Sequence, residues 1–442
     1  MEISNEMLAF LSLIGMFTAF CTGFPISYTM IFSGLIFGYL GVGKIVFYLL
    51  TVQCYQVMSD PVMGAIPFFL LMGYLLEGAG LMDRLFRSFQ LMLAKLPGSL
   101  YSAIILTGTI FAAATGIVGS SVNLLCIMSE PAMRRSGYDI HMGAGCIAAA
   151  GTLGILIPPS IMLVVLGPIV GVPITDLFAA AILPGLLLAS IYIGYSLIKS
   201  MINPAYGPPL PEDMWPESKL AVLKDMVIGV FPLIILVSAT LGSILTGIAT
   251  PTEASACGAF GALILVISYK KFTWKKLGKA LESTIVLSAM ILIMIASCNF
   301  FGSVFSRLGG ATWLSNWLLS LDVSPMLMLS LIMVIIFFMG WAMEWIPIVL
   351  ILVPLLLPVV EAMQFNKLWF CLVVAVTLQT SWLSPPVALS AYFIKGSIPH
   401  WTLSDIYKGM FQYIGCQLIG LILIIIFPAI VTWLPLLLYS GN

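Results

Sequence analysis

The sequence predicts an all-α polytopic membrane protein, and its composition is the first reason. Only 8% of the 442 residues are charged, 18 basic and 18 acidic, whereas 61% are hydrophobic. A soluble domain is about 25% charged, so this chain cannot cover a water-facing surface. The composition excludes a soluble enzyme, a nucleic-acid-binding protein and a disordered chain.

The length of the apolar runs favours helices over a β-barrel. In hydrocarbon every backbone polar group needs an internal partner, and barrel strands alternate polar and apolar residues. A spanning helix needs about 20 apolar residues, so we expect about ten spans plus segments that enter the membrane and turn back. Charge-free stretches occupy residues 7–43, 96–129, 142–175, 177–198, 226–252, 283–306, 323–343, 345–360, 368–394 and 409–442.

The basic residues predict the orientation. They concentrate in the loops 83–95, 134–135, 199–224 and 270–279, which the positive-inside rule places in the cytoplasm. Because both ends of the stretch 96–129 are then cytoplasmic, and two full crossings need about 40 apolar residues, we predict a re-entrant hairpin at about 97–135. Small and polar residues at its centre suit a hairpin tip.

The two halves of the chain share landmarks that indicate an inverted repeat. Thr22-Gly23 matches Thr246-Gly247 at an offset of 224, and Pro158-Pro159 matches Pro385-Pro386 at an offset of 227. We predict broken helices at about 142–170 and 368–395, and a second hairpin, entering from the outside, at about 323–363. Broken helices at matching places in both halves are typical of transporters.

Each double proline predicts a binding cluster, because proline opens the helix and frees carbonyl groups. Hydroxyl and carbonyl oxygens are neutral ligands that suit Na⁺, and exposed helix N-termini favour an anionic group. The first predicted sodium or substrate cluster consists of Gly119, Ser120, Ser121, Asn123, Gly151, Thr152, Gly154, Pro158 and Pro159. The second consists of Gly340, Met343, Glu344, Thr380, Ser381, Ser384, Pro385 and Pro386.

Three acidic residues lie near or within apolar runs. Glu344, at the second hairpin tip, is a candidate contact for ion or substrate. Glu253 follows Thr250-Pro251-Thr252, which is typical of a helix start. Glu77 is interpreted as a helix end near the cytoplasm, without a role. The sequence contains no Walker A motif, so we expect an ion gradient to drive any pumping, with Na⁺ as the only metal ion and no cofactor.

With these motifs in view, the sequence resembles the large membrane subunit of TRAP transporters, the tripartite ATP-independent periplasmic systems. The resemblance is carried by Gly116-Ile-Val-Gly-Ser-Ser121, Ala150-Gly-Thr-Leu-Gly-Ile-Leu-Ile-Pro-Pro-Ser160, Gly247-Ile-Ala-Thr-Pro-Thr-Glu-Ala254, Met343-Glu-Trp345 and Leu378-Gln-Thr-Ser381.

The resemblance implies a fold of the ion-transporter superfamily, in which transport elements move as an elevator against a scaffold. It implies import of a small organic acid across the bacterial inner membrane, driven by a sodium gradient. A periplasmic binding protein would deliver the substrate, and a separate small membrane subunit of about four helices would support the large one. The surrounding partner is the lipid bilayer, and no nucleic acid is expected.

Under this resemblance the chain divides into scaffold and transport parts. The expected divisions are scaffold 1–95, transport elements 96–198, a cytoplasmic linker 199–225, scaffold 226–307 and transport elements 308–442.

Three other classes remain as alternatives. An intramembrane enzyme needs a polar catalytic set within the spans, but Lys and Asp lie in loops or at span ends. A carrier of the same superfamily would work without a binding protein. A channel would conduct without coupling to an ion gradient.

Overall fold

The computed structural model describes residues 4–116, 118–215, 219–385 and 388–439, and every regular element in these ranges is helical. Seven of the described helices are long and apolar enough to cross a membrane. The predicted all-α membrane fold is therefore confirmed.

The first half contains ten helices in the described ranges. They are α1 (Asn5–Cys21), α2 (Ile26–Val42), α3 (Ile45–Ser59), α4 (Ala65–Gly78), α5 (Leu81–Met92), α6 (Ser99–Thr115), α7 (Val118–Arg135), α8 (Ile140–Thr152), α9 (Ile161–Val170) and α10 (Ile174–Ile202). Short 3-10 turns precede α4 and follow α8.

The described part of the second half begins at Lys219. Its helices are α11 (Lys219–Leu245), α12 (Pro251–Ser268), α13 (Trp274–Arg307), α14 (Gly310–Leu319), α15 (Pro325–Ala342), α16 (Trp345–Pro347), α17 (Val353–Ala362), α18 (Lys367–Leu383), α19 (Leu389–Ser397), α20 (Leu403–Ile426) and α21 (Ala429–Tyr439). A π-helical turn, Ile348–Leu352, joins α16 to α17.

The packing of the helices is reciprocal between the halves. Helix α2 packs on α13 just as α12 packs on α4, and α8 packs on α20 just as α18 packs on α10. The second arm of each hairpin, α7 or α17, packs on the second part of the other half's broken helix, α19 or α9. These exchanged contacts are those of two repeats related by a twofold axis.

The two hairpins enter from opposite ends of the molecule. His141, just after hairpin α6–α7, lies with its Nε2 3.2 Å from Asp405 Oδ1 at the start of α20. Trp369, just after hairpin α15–α17, donates from its Nε1 to Ile424 O near the end of α20, at 2.9 Å. Because α20 has 24 residues and is about 36 Å long, the repeats are inverted as predicted.

The basic loops lie together at the base of hairpin α6–α7. Arg135 forms an ion pair with Asp213 at 2.5 Å, and the Lys95 ammonium lies 4.6 Å from the centre of the Trp215 ring. Asp213 and Trp215 belong to the polar loop after α10. This end of the molecule is therefore the cytoplasmic one by the positive-inside rule.

Two local predictions can be compared directly with the helices. The helix start at Glu253 is confirmed: Thr250 Oγ1 accepts from the Glu253 amide at 3.3 Å, and Glu253 Oε2 accepts from the Thr250 amide at 2.9 Å. The last charge-free stretch, 409–442, is long enough for one continuous span. Instead α20 ends at Ile426 and α21 follows at Ala429, because Pro428 interrupts the helix.

We expect cysteines introduced at the two hairpin bases to be labelled from opposite sides. With the exposed Cys21 and Cys257 replaced by serine, Arg134→Cys should react with an impermeant maleimide only in inverted vesicles, and Glu361→Cys only in whole cells. Both parent side chains are exposed. Labelling of both from one side would contradict the inverted arrangement.

Candidate functional site

The second predicted cluster forms where hairpin α15–α17 meets the break after α18. Helix α15 ends at Ala342, Met343 is extended, and α16 begins after Glu344. Gly340 lies against α18, since a Cβ atom added to it would be 2.4 Å from Ser381 Oγ. The structure thus brings the hairpin tip to the broken helix. Pro385 forms a turn after α18, and Pro386 lies outside the described residues.

The hydroxyl groups of this cluster donate to their own helix. Thr380 Oγ1 donates to Val376 O at 2.9 Å, and Ser381 Oγ donates to Leu378 O at 2.6 Å. A hydroxyl that donates its hydrogen keeps oxygen lone pairs for a cation. Both hydroxyls therefore hold their oxygens in fixed positions and remain able to coordinate an ion.

Ser384 connects the cluster to the hairpin. Its Oγ accepts from Trp341 Nε1 at 2.7 Å and donates to Ser381 O at 3.2 Å. Because the Ser384 hydroxyl both donates and accepts, it has fewer free lone pairs for coordinating an ion than the Thr380 hydroxyl.

The first cluster forms at the tip of hairpin α6–α7. Gly116 ends α6 with φ of 61°, so the chain turns and α7 begins at Val118. Gly119, Ser120 and Ser121 occupy the first turn of α7. Gly116 lies close to the break after α8, since an added Cβ atom would be 3.2 Å from Pro159 O.

The remaining members of the first cluster lie along α8 and its break. Gly151 packs against hairpin residue Val122, whose Cγ2 would be 2.3 Å from an added Cβ atom. Gly154 follows in the 3-10 turn, and the Pro158-Pro159 peptide bond is cis. Asn123 also contacts α19, where its Oδ1 accepts from Ser397 Oγ at 2.9 Å.

A buried glutamine connects the two repeats. Gln379 Nε2 donates to Thr152 Oγ1 at 3.2 Å, and Thr152 Oγ1 donates to Ala149 O at 2.9 Å. Gln379 is fully buried, and within the described part of the chain its Oε1 has no hydrogen-bond partner. Gln379 was not among the predicted site residues, although a polar amide inside the apolar run 368–394 is a signal of function.

A cavity of about 480 Å³ lies between the two hairpin tips and the helices α4 and α13. This volume suits a small organic molecule. Its lining includes Glu77, Ser120, Glu344, Trp345, Trp382 and Phe393. Among the lining residues that the structure describes, none is Lys, Arg or His.

Glu77 takes part in this cavity, which the sequence interpretation did not foresee. Its Oε2 accepts from Ser120 Oγ at 2.6 Å. The next residue, Gly78, ends α4, and its carbonyl accepts from Lys276 Nζ at 3.3 Å. Glu77 is therefore level with the lysine-rich segment 270–279, at the cytoplasmic end of α4.

The hairpin tip lies at the same level as that helix end. Ser120 is about 22 Å from Arg135 along α7, at 1.5 Å per residue. Because Ser120 contacts Glu77, the base of the hairpin lies beyond the cytoplasmic end of α4. The cavity consequently lies in the cytoplasmic half of the molecule.

Two inverted repeats, each with a re-entrant hairpin and a broken helix around a shared cavity, define a membrane transporter of the secondary-active fold class. The family model described as "Tripartite ATP-independent periplasmic transporter, DctM component" matches residues 13–430. The chain belongs to this family, as the sequence resemblance indicated.

Known proteins agree with this assignment. The C4-dicarboxylate TRAP transporter large permease protein of Pseudomonas aeruginosa is 28% identical over 87% of this chain and 89% of its own length. The sialic acid TRAP transporter large permease protein of Vibrio cholerae is 28% identical over 84% of this chain and 85% of its own. The YdaH transporter of Alcanivorax borkumensis has a similar fold, with a TM-score of 0.64 and 15% identity over 88% of this chain and 89% of its own.

Family membership settles several predictions. The chain is a transporter permease rather than an enzyme, so the intramembrane-enzyme alternative is excluded. It is a multi-pass protein of the bacterial inner membrane. Large permeases of this family work with a small membrane subunit and a periplasmic binding protein.

Proposed function

We propose that this chain imports a small carboxylate across the inner membrane together with Na⁺. The substrate is delivered by a periplasmic binding protein, and a separate small membrane subunit of about four helices supports the permease. The observation that carries the proposal is the contact of each hairpin with its own broken helix, at Gly340 and Ser381 and at Gly116 and Pro159.

Na⁺ is the ion that this chemistry favours. The broken helices leave carbonyl groups without helical partners near Pro159 and Pro385. Thr380 and Ser381 hold hydroxyl oxygens beside the second break. Within the described ranges, no three His, Cys, Asp or Glu side chains come together. Neutral oxygens in such numbers suit a monovalent hard cation better than a transition metal.

A carboxylate substrate fits the polarity at the first hairpin tip. The first turn of α7 lines the cavity with Gly119 and Ser120, and helix N-termini favour anions. The relatives named for C4-dicarboxylates and sialic acid both transport carboxylates according to those names. Na⁺ bound at the clusters would supply the positive charge that the described lining lacks.

Movement of the transport elements against the scaffold is the proposed route across the membrane. Ser120, at a hairpin tip, is level with the cytoplasmic end of α4, whereas a hairpin tip in a symmetric position would be near the middle of the bilayer. This offset supports an elevator mechanism, with this structure in its cytoplasm-facing position.

Reconstitution tests the proposal and separates it from its alternatives. Liposomes containing the chain and its small subunit should accumulate succinate, pyruvate or N-acetylneuraminate only with an inward Na⁺ gradient and the binding protein. Equal accumulation without binding protein would indicate a stand-alone carrier. Flux that equilibrates the probe without any dependence on the Na⁺ gradient would indicate a channel.

We expect Thr380→Ala and Ser121→Ala to raise the Na⁺ concentration for half-maximal uptake about tenfold, the effect of losing about 1.4 kcal/mol of binding. Thr380→Ser keeps the hydroxyl and should remain near the wild type. Thr377→Ala is the matched control, because Thr377 Oγ1 also donates within α18, to Val373 O at 2.8 Å, one turn before the site. Unchanged Na⁺ activation in both alanine variants would remove these ligands from the proposal.

A further inference from the structure

We infer that Glu77 drives release of the anionic substrate into the cytoplasm by binding Ser120 when the hairpin reaches its cytoplasm-facing position. The inference rests on the proposed function, which supplies the negative charge of the substrate and the direction of transport. It gives Glu77 a role that neither the repeat nor the predicted ion clusters contain.

The contact removes a hydrogen-bond donor from the cavity. Ser120 Oγ donates to Glu77 Oε2 at 2.6 Å, and a serine hydroxyl has only one hydrogen to donate. While this bond exists, Ser120 cannot donate to a substrate carboxylate at the N-terminus of α7. The same residue that favours an anion at the tip is therefore engaged by the protein's own carboxyl group.

Charge acts in the same direction. Glu77 and Glu344 both line the cavity, and no basic side chain does so among the described lining residues. Like charges a few ångströms apart repel each other, and more strongly in a partly buried cavity than in water. The binding of a substrate carboxylate beside Ser120 is thus weakened both by the loss of the hydrogen-bond donor and by the nearby negative charge.

Glu77 lies on a helix that stays with the scaffold. Helices α4 and α12 pack together along their lengths. At their outer ends, Thr252 Oγ1 donates to Pro61 O, in the turn before α4, at 2.6 Å. Further along, Gly258 packs against Met72. Both helices then end near the lysine-rich segment. Because Ser120 belongs to the moving hairpin, the Glu77–Ser120 contact forms only at the cytoplasmic end of the movement.

The inverted repeat indicates that Glu77 weakens substrate binding on the cytoplasmic side only. Helix α4 corresponds to the end of α13, and offsets of 224 to 227 match Glu77 to the stretch Phe301–Val304. This stretch, Phe-Gly-Ser-Val, contains no charged residue. The scaffold therefore presents an acid to the hairpin tip on the cytoplasmic side and none at the matching place on the outer side, where substrate must bind.

The test measures how strongly substrate inside the vesicles inhibits uptake. The chain and its small subunit are reconstituted right side out in liposomes, with the binding protein outside. The liposomes are loaded with increasing concentrations of succinate, pyruvate or N-acetylneuraminate. Glu77→Gln keeps an acceptor for Ser120 but removes the charge, and Glu77→Ser removes the charge and is too short to keep the contact with Ser120. Glu282→Gln is the matched control, since Glu282 is an exposed acid of the same scaffold, on α13.

In Glu77→Ser, internal probe should inhibit uptake at about tenfold lower concentration than in the wild type, with Glu77→Gln between them. The external KM and the Na⁺ activation should change by much less than the internal inhibition, a one-sided effect that a merely structural defect would not produce. Unchanged internal inhibition in Glu77→Ser, or an equal change in external KM, would overturn the inference.

Should one variant fail to fold, the other still decides the result. Failure of the wild type to take up any of the three probes with Na⁺ would contradict the proposed function, and the inference with it. Normal wild-type uptake with variants identical to it would overturn the release role of Glu77 alone.

Discussion

Replacing Gly409 with alanine is expected to destabilise the protein by about 3 kcal/mol, near the upper end of the usual cost of overpacking. A Cβ atom at Gly409 would lie 1.7 Å from the carbonyl oxygen of His141, and one at Gly145 would lie 2.3 Å from Gly409 O. Helices α8 and α20 therefore touch backbone to backbone. Because the obstructing atoms are not side-chain atoms, they cannot rotate away, and the helices must separate.

Gly415→Ala supplies the control in the same helix. No atom lies within 4 Å of a Cβ added to Gly415, and alanine favours a helix over glycine by about 1 kcal/mol. Thermal unfolding followed by size-exclusion chromatography should show a lower midpoint for Gly409→Ala and an equal or higher one for Gly415→Ala. Equal midpoints for the two variants would show that the α8–α20 contact is not tight.

Much of this fold follows from the sequence because the bilayer restricts the choices. Long apolar runs must be helical, and runs with both ends basic must turn back. These two constraints predicted hairpin 97–135, observed as Ser99–Arg135. Hairpin 323–363, observed as Pro325–Ala362, was predicted from its place in the inverted repeat. The division into scaffold and transport parts stays a prediction, since it concerns movement rather than a single arrangement.

The candidate site could be predicted from the sequence only where the sequence carries a helix break. Pro159 and Ser381 were predicted as site residues because prolines and nearby hydroxyls stand out in an apolar run, and both lie against a hairpin tip. Glu77 and Gln379 were not, because their roles depend on contacts with distant residues, Ser120 and Thr152. Single-sequence patterns give the local conformation of a helix end but not which helix end faces it.

The same distinction explains the placement of Asn123. Its position in the first turns of α7 predicted a ligand beside Ser121, which stays a prediction. Asn123 lines the cavity, and its Oδ1 also accepts from Ser397 Oγ on α19, a contact that the sequence does not indicate. Residues two apart on a helix lie on different sides of it, so sharing a motif with Ser121 does not predict which side chains Asn123 contacts.

Gly340→Ala is expected to lower Na⁺-driven uptake about 100-fold, because a displacement of about 1 Å in a positioned site can cost that much. An added Cβ atom would lie 2.4 Å from Ser381 Oγ and 2.6 Å from Ser381 Cβ. Rotation of the serine side chain relieves the first overlap but not the second, since Cβ is fixed to the backbone. Helices α15 and α18 must then move apart at the second cluster.

The control is another glycine that faces the same hairpin without touching it. Gly302 on α13 has Leu350 O at 4.0 Å from an added Cβ atom, so Gly302→Ala should transport normally. Both variants should elute as folded protein in size-exclusion chromatography, which separates a lost site from a lost fold. Near-normal uptake by Gly340→Ala would mean that the close approach of Gly340 to Ser381 is not needed for coupling. The ligands of the second cluster would then have to come from α18 and its break alone, without the hairpin tip.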